Sequence, residues 1–215
     1  MRQLYFDCED QRPRVFDQGL PGFVLGVHPT QAAHIVLLLP PPEATQTLAQ
    51  GALDDRQALA LLGTAYSANA HAWSTGYQNC NQWLAELLGV TWATPPDATP
   101  TPPPHPREQA QAQLRQQGYQ PSTVQPPWPP LVALAGLSPW LHLNDHPPAD
   151  VAAGQLRVSM PASIEAWLRA RWPTTRRVAL CQHGRDVVVH RGWDDIGPAD
   201  ACPSQPGDEH MTLAP

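Results

Sequence analysis

Ala72-Trp73-Ser74-Thr75-Gly76-Tyr77-Gln78-Asn79-Cys80-Asn81-Gln82-Trp83 leads from a polar turn into the clearest helix of the chain. Asn79 is a strong N-cap, and Gln82 stands three residues on, where its side chain can reach back as in a capping box. Gly89 supplies a stop signal. The spacing predicts a helix over 79–88 with Trp83, Leu84, Leu87 and Leu88 as its buried stripe. Cys80 falls in the first turn, where free amide N–H groups and the helix dipole favour a thiolate, so its pKa is expected to fall. Because Trp83 and Leu84 lie one turn on, Cys80 is expected to face inward.

Upstream of this helix, Leu4-Tyr5-Phe6 and His34 to Leu39 read as strands, the second closed by Pro40-Pro41-Pro42. Leucine spacing over 43–62 predicts two short helices, broken at Gly51 and stopped at Gly63. Downstream, seven prolines between Thr94 and Pro106 mark an extended spacer. A glutamine-rich helix over 107–117 ends at Gly118, and a second proline-rich loop covers 121–130. A strand at 155–159 and a helix at 161–171, with proline in its first turn, come next. Val178 to Gln182 and Val187 to Arg191, joined at Gly184-Arg185, read as a β-hairpin. These elements predict an α+β fold, a small antiparallel sheet with packed helices, forming a single domain over 1–193. Residues 194–215 read as an acidic, disordered tail.

Composition excludes several classes. The 215 residues carry a net charge of -6, and all 13 basic residues are arginine, with no basic run. That argues against a sequence-independent nucleic-acid binder, which needs rows of positive charge. No apolar run approaches the length of a membrane helix, so no integral membrane segment is expected. The N-terminus lacks a signal-peptide pattern. Proline, at 27 residues, is more than twice its usual share of roughly 5%. Cys8, Cys80, Cys181 and Cys202 are widely spaced and suggest neither a disulfide framework nor a zinc knuckle. No cofactor is implied.

Three groups could carry chemistry. Cys80 is placed where papain-type thiol hydrolases hold their nucleophile; the alternative is a small buried cysteine that only packs. A thiol hydrolase also needs a general base and an orienting group. Asp145 and His146, in Leu141-His142-Leu143-Asn144-Asp145-His146-Pro147, could be orienter and base, against the alternative of a turn with a side-chain hydrogen bond. On the hairpin, Cys181, His183 and His190 share one face and could hold zinc, with Cys202 as a candidate fourth ligand, while Val178, Leu180, Val187 and Val189 form the expected core face.

Several stretches also resemble a known family. They are Val15-Phe16-Asp17-Gln18-Gly19-Leu20 with Gly22-Phe23, Trp73-Ser74-Thr75 with Tyr77 to Trp83, Gly118-Tyr119-Gln120-Pro121, Asp145-His146-Pro147, and Val158-Ser159 leading to Trp167-Leu168. Together they are similar to the bacterial family called domain of unknown function 2145. The resemblance implies a protein usually exported, with a core laid out like the circularly permuted NlpC-type branch of papain-like hydrolases. It also implies a further N-terminal segment with a Ser-His-Ala-Gly-like strand ahead of Met1, and serine in some members at the position of Cys80. On that basis Cys80 is the expected nucleophile, Asn79 and Gln78 lie near the oxyanion region, and His146 is the base within this chain. The expected activity is hydrolysis of an amide or ester bond in the cell envelope, with a cell-envelope component as partner. The alternative is a non-catalytic or truncated relative that uses the same groove for binding.

Overall fold

The computed structural model describes residues 1–19, 32–93, 105–125, 138–194 and 202–213. The chain is α+β with small antiparallel sheets and six helices among these residues. Its contacts fall into two compact units, one made of Met1, Gln18–Pro42 and Trp172–Pro215, the other of Arg2–Asp17 and Glu43–Arg171.

The first unit is built on a four-stranded antiparallel sheet. Strand β3 (Ala32–Leu39) pairs with β6 (Arg176–His183), β6 with β7 (Asp186–Arg191), and β7 with β8 (Glu209–Thr212). The β6–β7 hairpin turns at Gly184-Arg185 as its sequence predicts, with His183 opposite Asp186. The returning tail is the main departure. Where composition predicts disorder, Glu209–Thr212 add an edge strand, with Met211 opposite Val187. Cys202 is joined to Cys181 by a disulfide that the cysteine spacing does not suggest. Their 21-residue separation carries no local signal; the pairing follows from the tail folding back on the sheet.

The second unit holds the helices and two two-stranded sheets. Strand β1 (Arg2–Asp7) pairs antiparallel with β2 (Arg12–Asp17), and β4 (Ser122–Val124) with β5 (Leu156–Val158). The helices are α1 (Pro42–Leu53), α2 (Asp55–Ala60), α3 (Cys80–Thr91), α4 (Pro106–Gln116), α5 (Pro148–Ala153) and α6 (Pro161–Arg171). Trp83 and Leu87 of α3 meet Leu4 of β1, Ala58 and Leu61 at the end of α2, and Ala110 of α4. Full burial of a side chain such as Leu87 contributes about 1.5–3 kcal/mol. Leu84 is not part of this stripe and is exposed.

Two glycines expected to break helices lie inside them. Helix α1 runs through Gly51 and ends at Leu53, where Asp54 caps α2 with bonds from Arg56 N (2.9 Å) and Gln57 N (3.2 Å). A Cβ on Gly51 would clash with Thr91 Oγ1. Helix α3 likewise continues past Gly89, where a Cβ would come within 2.8 Å of Leu114 Cγ. In both places glycine permits a close helix approach rather than ending a helix. The described part of the 94–106 loop begins at His105, which caps α4; 94–104 and 126–137 lie outside the described residues.

Candidate functional site

Residues 64–78 form a loop whose ends meet. Gln78 N donates to Ala65 O (3.0 Å) and Ser67 N to Gln78 O (3.2 Å). Inside the loop, backbone carbonyls without sheet partners need donors. Gln82, in the first turn of α3, supplies its amide to His71 O (3.2 Å), Ala72 O (3.3 Å) and Ser74 O (3.1 Å). It therefore holds the loop and does not return to Asn79 as a capping box would. Asn79 does cap α3, accepting from Gln82 N at 2.7 Å, and its amide donates to Ala68 O (3.2 Å) and Ser159 O (3.5 Å).

Beneath the loop lies a buried ionic cage. Arg107 Nε donates to Glu86 Oε2 (2.9 Å) and Nη2 to Glu86 Oε1 (3.2 Å). The same guanidinium reaches Thr75 O (2.9 Å), Ser74 O (3.2 Å) and Tyr77 O (3.1 Å). Gln78 and Gln111 each donate to Glu86 at 2.8 Å. Gln78 Oε1 accepts from Gly63 N (2.7 Å), and its amide also reaches Leu61 O (2.9 Å). Burial pushes the Glu86 carboxyl upward, against the pull of Arg107, Gln111 and Gln78. Four N–H donors converge on it and leave a protonated form no acceptor, so the cage fits the carboxylate.

The residues expected to form a thiol site are thus divided. Gln78 and Asn79 spend their amides on the scaffold. Cys80 is exposed, not inward-facing, because it sits on the open side of the first turn. Its sulfur is nevertheless crowded enough that desolvation pushes the thiol up; hydrogen bonds from the amides of Asn81 and Cys80 pull it down by less. The expected fall in pKa is therefore reversed. The nearby Tyr66 hydroxyl is also pushed up, first by burial and then by the charge of Cys80.

Asp145 meets His71 through a hydrogen bond and His146 meets it through a ring contact. His71 N donates to Asp145 Oδ2 (2.9 Å). His146 Nε2 lies 2.7 Å from Asn69 O, a carbonyl that can only accept, so this nitrogen carries the proton. Trp73 N donates to His71 Nδ1 (3.4 Å), which places the His71 proton on Nε2. The two imidazoles meet edge to face, 5.2 Å between centroids. His71 Nε2, His146 Nδ1 and Asp145 Oδ1 are buried without a hydrogen-bond partner: one donor and two acceptors. Burial, and then the neighbouring His146, hold the His71 ring below the usual histidine pKa.

The sequence gives less warning of Glu86, Arg107, Gln111 and His71. One signal was present: Glu86 follows Trp83 by three residues and so lies on the buried stripe of α3, where a carboxylate requires a buried cation. The hairpin residues read as zinc ligands do share a face, on which Cys181 and His190 are buried and His183 is exposed. Cys181 is disulfide-bonded and His190 Nδ1 donates to Asp208 Oδ1 (2.7 Å). Among the described residues no group of three or more His, Cys, Asp or Glu side chains is arranged to hold a metal.

A family model described as an uncharacterised protein conserved in bacteria, domain of unknown function 2145, matches residues 1–168. The chain belongs to this family. The span matched to domain of unknown function 2145 contains loop 64–78, the Glu86–Arg107 cage and the His71–His146 pair, and ends within α6. No curated protein and no solved structure matches the chain. No helix among the described residues is long and apolar enough to cross a membrane.

Proposed function

We propose that the chain is a non-catalytic binding module of an oxidising compartment, consistent with the bacterial cell envelope. The observation that carries this reading is the use of the candidate catalytic groups as scaffold. Gln78 and Asn79 brace the loop, His146 is held by the Asn69 carbonyl, and the Cys80 thiol is pushed away from the thiolate form. A thiol nucleophile needs the opposite: a lowered pKa and a base whose free nitrogen faces the sulfur. Tyr66, close enough to Cys80 to respond to its charge, belongs to an aromatic cluster. Phe6 meets Tyr66 at 5.3 Å and Trp140 at 4.7 Å, and Trp140 is exposed. Rigid aromatic surfaces of this kind anchor protein and ligand interfaces. The Cys181–Cys202 disulfide supports an oxidising compartment.

A second reading, a papain-like cysteine hydrolase of amide or ester bonds, is favoured by one feature: Cys80 is the first residue of α3, where the backbone amides of Asn81 and Cys80 pull its thiol pKa down. Iodoacetamide labelling separates the two, with the free and exposed Cys8 as internal reference. A binding module predicts that Cys80 is labelled more slowly than Cys8 at neutral pH. Faster labelling of Cys80 overturns the module reading in favour of the hydrolase.

A further inference from the structure

The unit built on the four-stranded sheet contains a cavity that loop 64–78 takes no part in. The strand register sets Leu39 opposite Arg176 and Val178 opposite Arg191. Paired residues share a face, and so do residues two apart along a strand, so these four side chains project to the same side. Just beyond β7, Trp193 donates its indole N–H to Thr175 O (3.2 Å), which fixes the ring at the end of that face. All five residues line a cavity of about 400 Å³.

The lining has the chemistry of a small-molecule site: an apolar floor, an aromatic wall and few polar groups. Three arginines line it, Arg176, Arg177 and Arg191, in a chain with a net charge of -6. Arg177 alternates to the other face of its strand and donates to Gly192 O (3.4 Å), so Arg176 and Arg191 are the two on the cavity's face. Arg176 is exposed and makes no ion pair among the described residues. Arg191 pairs with Glu209 at 2.9 Å, but both side chains are more than half exposed, and such pairs are worth little. A guanidinium in this setting exchanges a surface carboxylate for a better-placed oxyanion at small cost.

We propose that this cavity binds a small organic anion. A flat apolar body packs on Trp193 over Leu39 and Val178, and its carboxylate or phosphate sits between Arg176 and Arg191. Recognition is non-covalent, and it is independent of whether Cys80 acts as a nucleophile.

The test uses the full chain and two matched probes, 2-naphthoate and the uncharged 2-naphthalenemethanol. Binding is followed at the Trp193 indole N–H by two-dimensional NMR, assigned with Trp193→Phe. Naphthoate is expected to shift this signal saturably, and the alcohol to bind about tenfold or more weaker. Arg176→Gln should weaken naphthoate about tenfold and leave the alcohol unchanged. Arg185→Gln, whose parent guanidinium bonds Leu213 O, should change neither. Absence of a saturable shift at Trp193, equal binding of the two probes, or naphthoate binding indifferent to Arg176→Gln in a folded variant would each overturn the proposal.

Discussion

Arg107 Nε lies 2.9 Å from Glu86 Oε2, and both side chains are fully buried. This pair joins α3 to α4 and at the same time holds the carbonyls of Ser74, Thr75 and Tyr77. Removing one partner leaves the other as an uncompensated buried charge. Arg107→Met is therefore expected to destabilise the second unit by about 3–5 kcal/mol. Glu86→Leu combined with Arg107→Met should cost clearly less than the sum of the single changes. Urea unfolding in a double-mutant cycle measures this; additive costs would show that the two residues act separately.

His71 gives the fold a pH dependence. Its folded pKa is depressed by burial and by His146, so the unfolded chain binds the proton more readily. The resulting stability is full above the ordinary histidine pKa of about 6.5 and is lost as pH falls through that value toward the folded one. His71→Asn cannot take up the proton. Between about pH 7.5 and about pH 5.5, wild type should lose stability relative to this variant. Denaturant midpoints at each pH check it, and a constant gap would refute the assignment.

Much of the fold is legible in the sequence because it rests on local signals. The α3 N-cap, the helix at 161–171 and the Gly184-Arg185 hairpin each follow from a few adjacent residues. What escapes is long-range. Gly51 and Gly89 look like stops until the side chains of Thr91 and Leu114 arrive against them. The partners of the candidate site residues are long-range too. Asn79 and Gln78 look like catalytic amides beside a cysteine, but their partners include Ser159, Leu61 and Glu86, none adjacent in sequence. The motif's amides hydrogen-bond the carbonyls of a loop that makes only isolated bridge contacts, Tyr66 with Gln78 and His71 with Val158.

Gly89 tests that long-range packing. Helix propensity alone makes Gly89→Ala favourable by up to about 1 kcal/mol. A Cβ there would meet Leu114 Cγ at 2.8 Å, and overpacking of this kind costs about 1–3 kcal/mol. The variant should be less stable than wild type. Adding Leu114→Ala should cost less in this background than in wild type, read from thermal unfolding of the four chains.

The disulfide ties the tail to the sheet. Cys202→Ser should destabilise the unit that contains it by about 2–4 kcal/mol. Reductant should lower the Tm of wild type to that of the variant and leave the variant unchanged. Added zinc should alter neither, since Cys181 is committed to sulfur and His190 to Asp208. A zinc-dependent rise in Tm would restore the metal reading of the hairpin.

In the function proposed above, the Tyr77 to Trp83 motif is scaffold and Cys80 is not an activated thiol. The most direct test is the titration of Cys80 in a Cys8→Ser chain, followed by thiolate ultraviolet absorbance, folded and in denaturant. With Cys181 and Cys202 bonded to each other, Cys80 is then the sole free thiol. The scaffold account predicts a folded midpoint above the denatured one, because desolvation outweighs the amides of Asn81 and Cys80. A folded midpoint below the denatured one would contradict it and return Cys80 to the role of nucleophile.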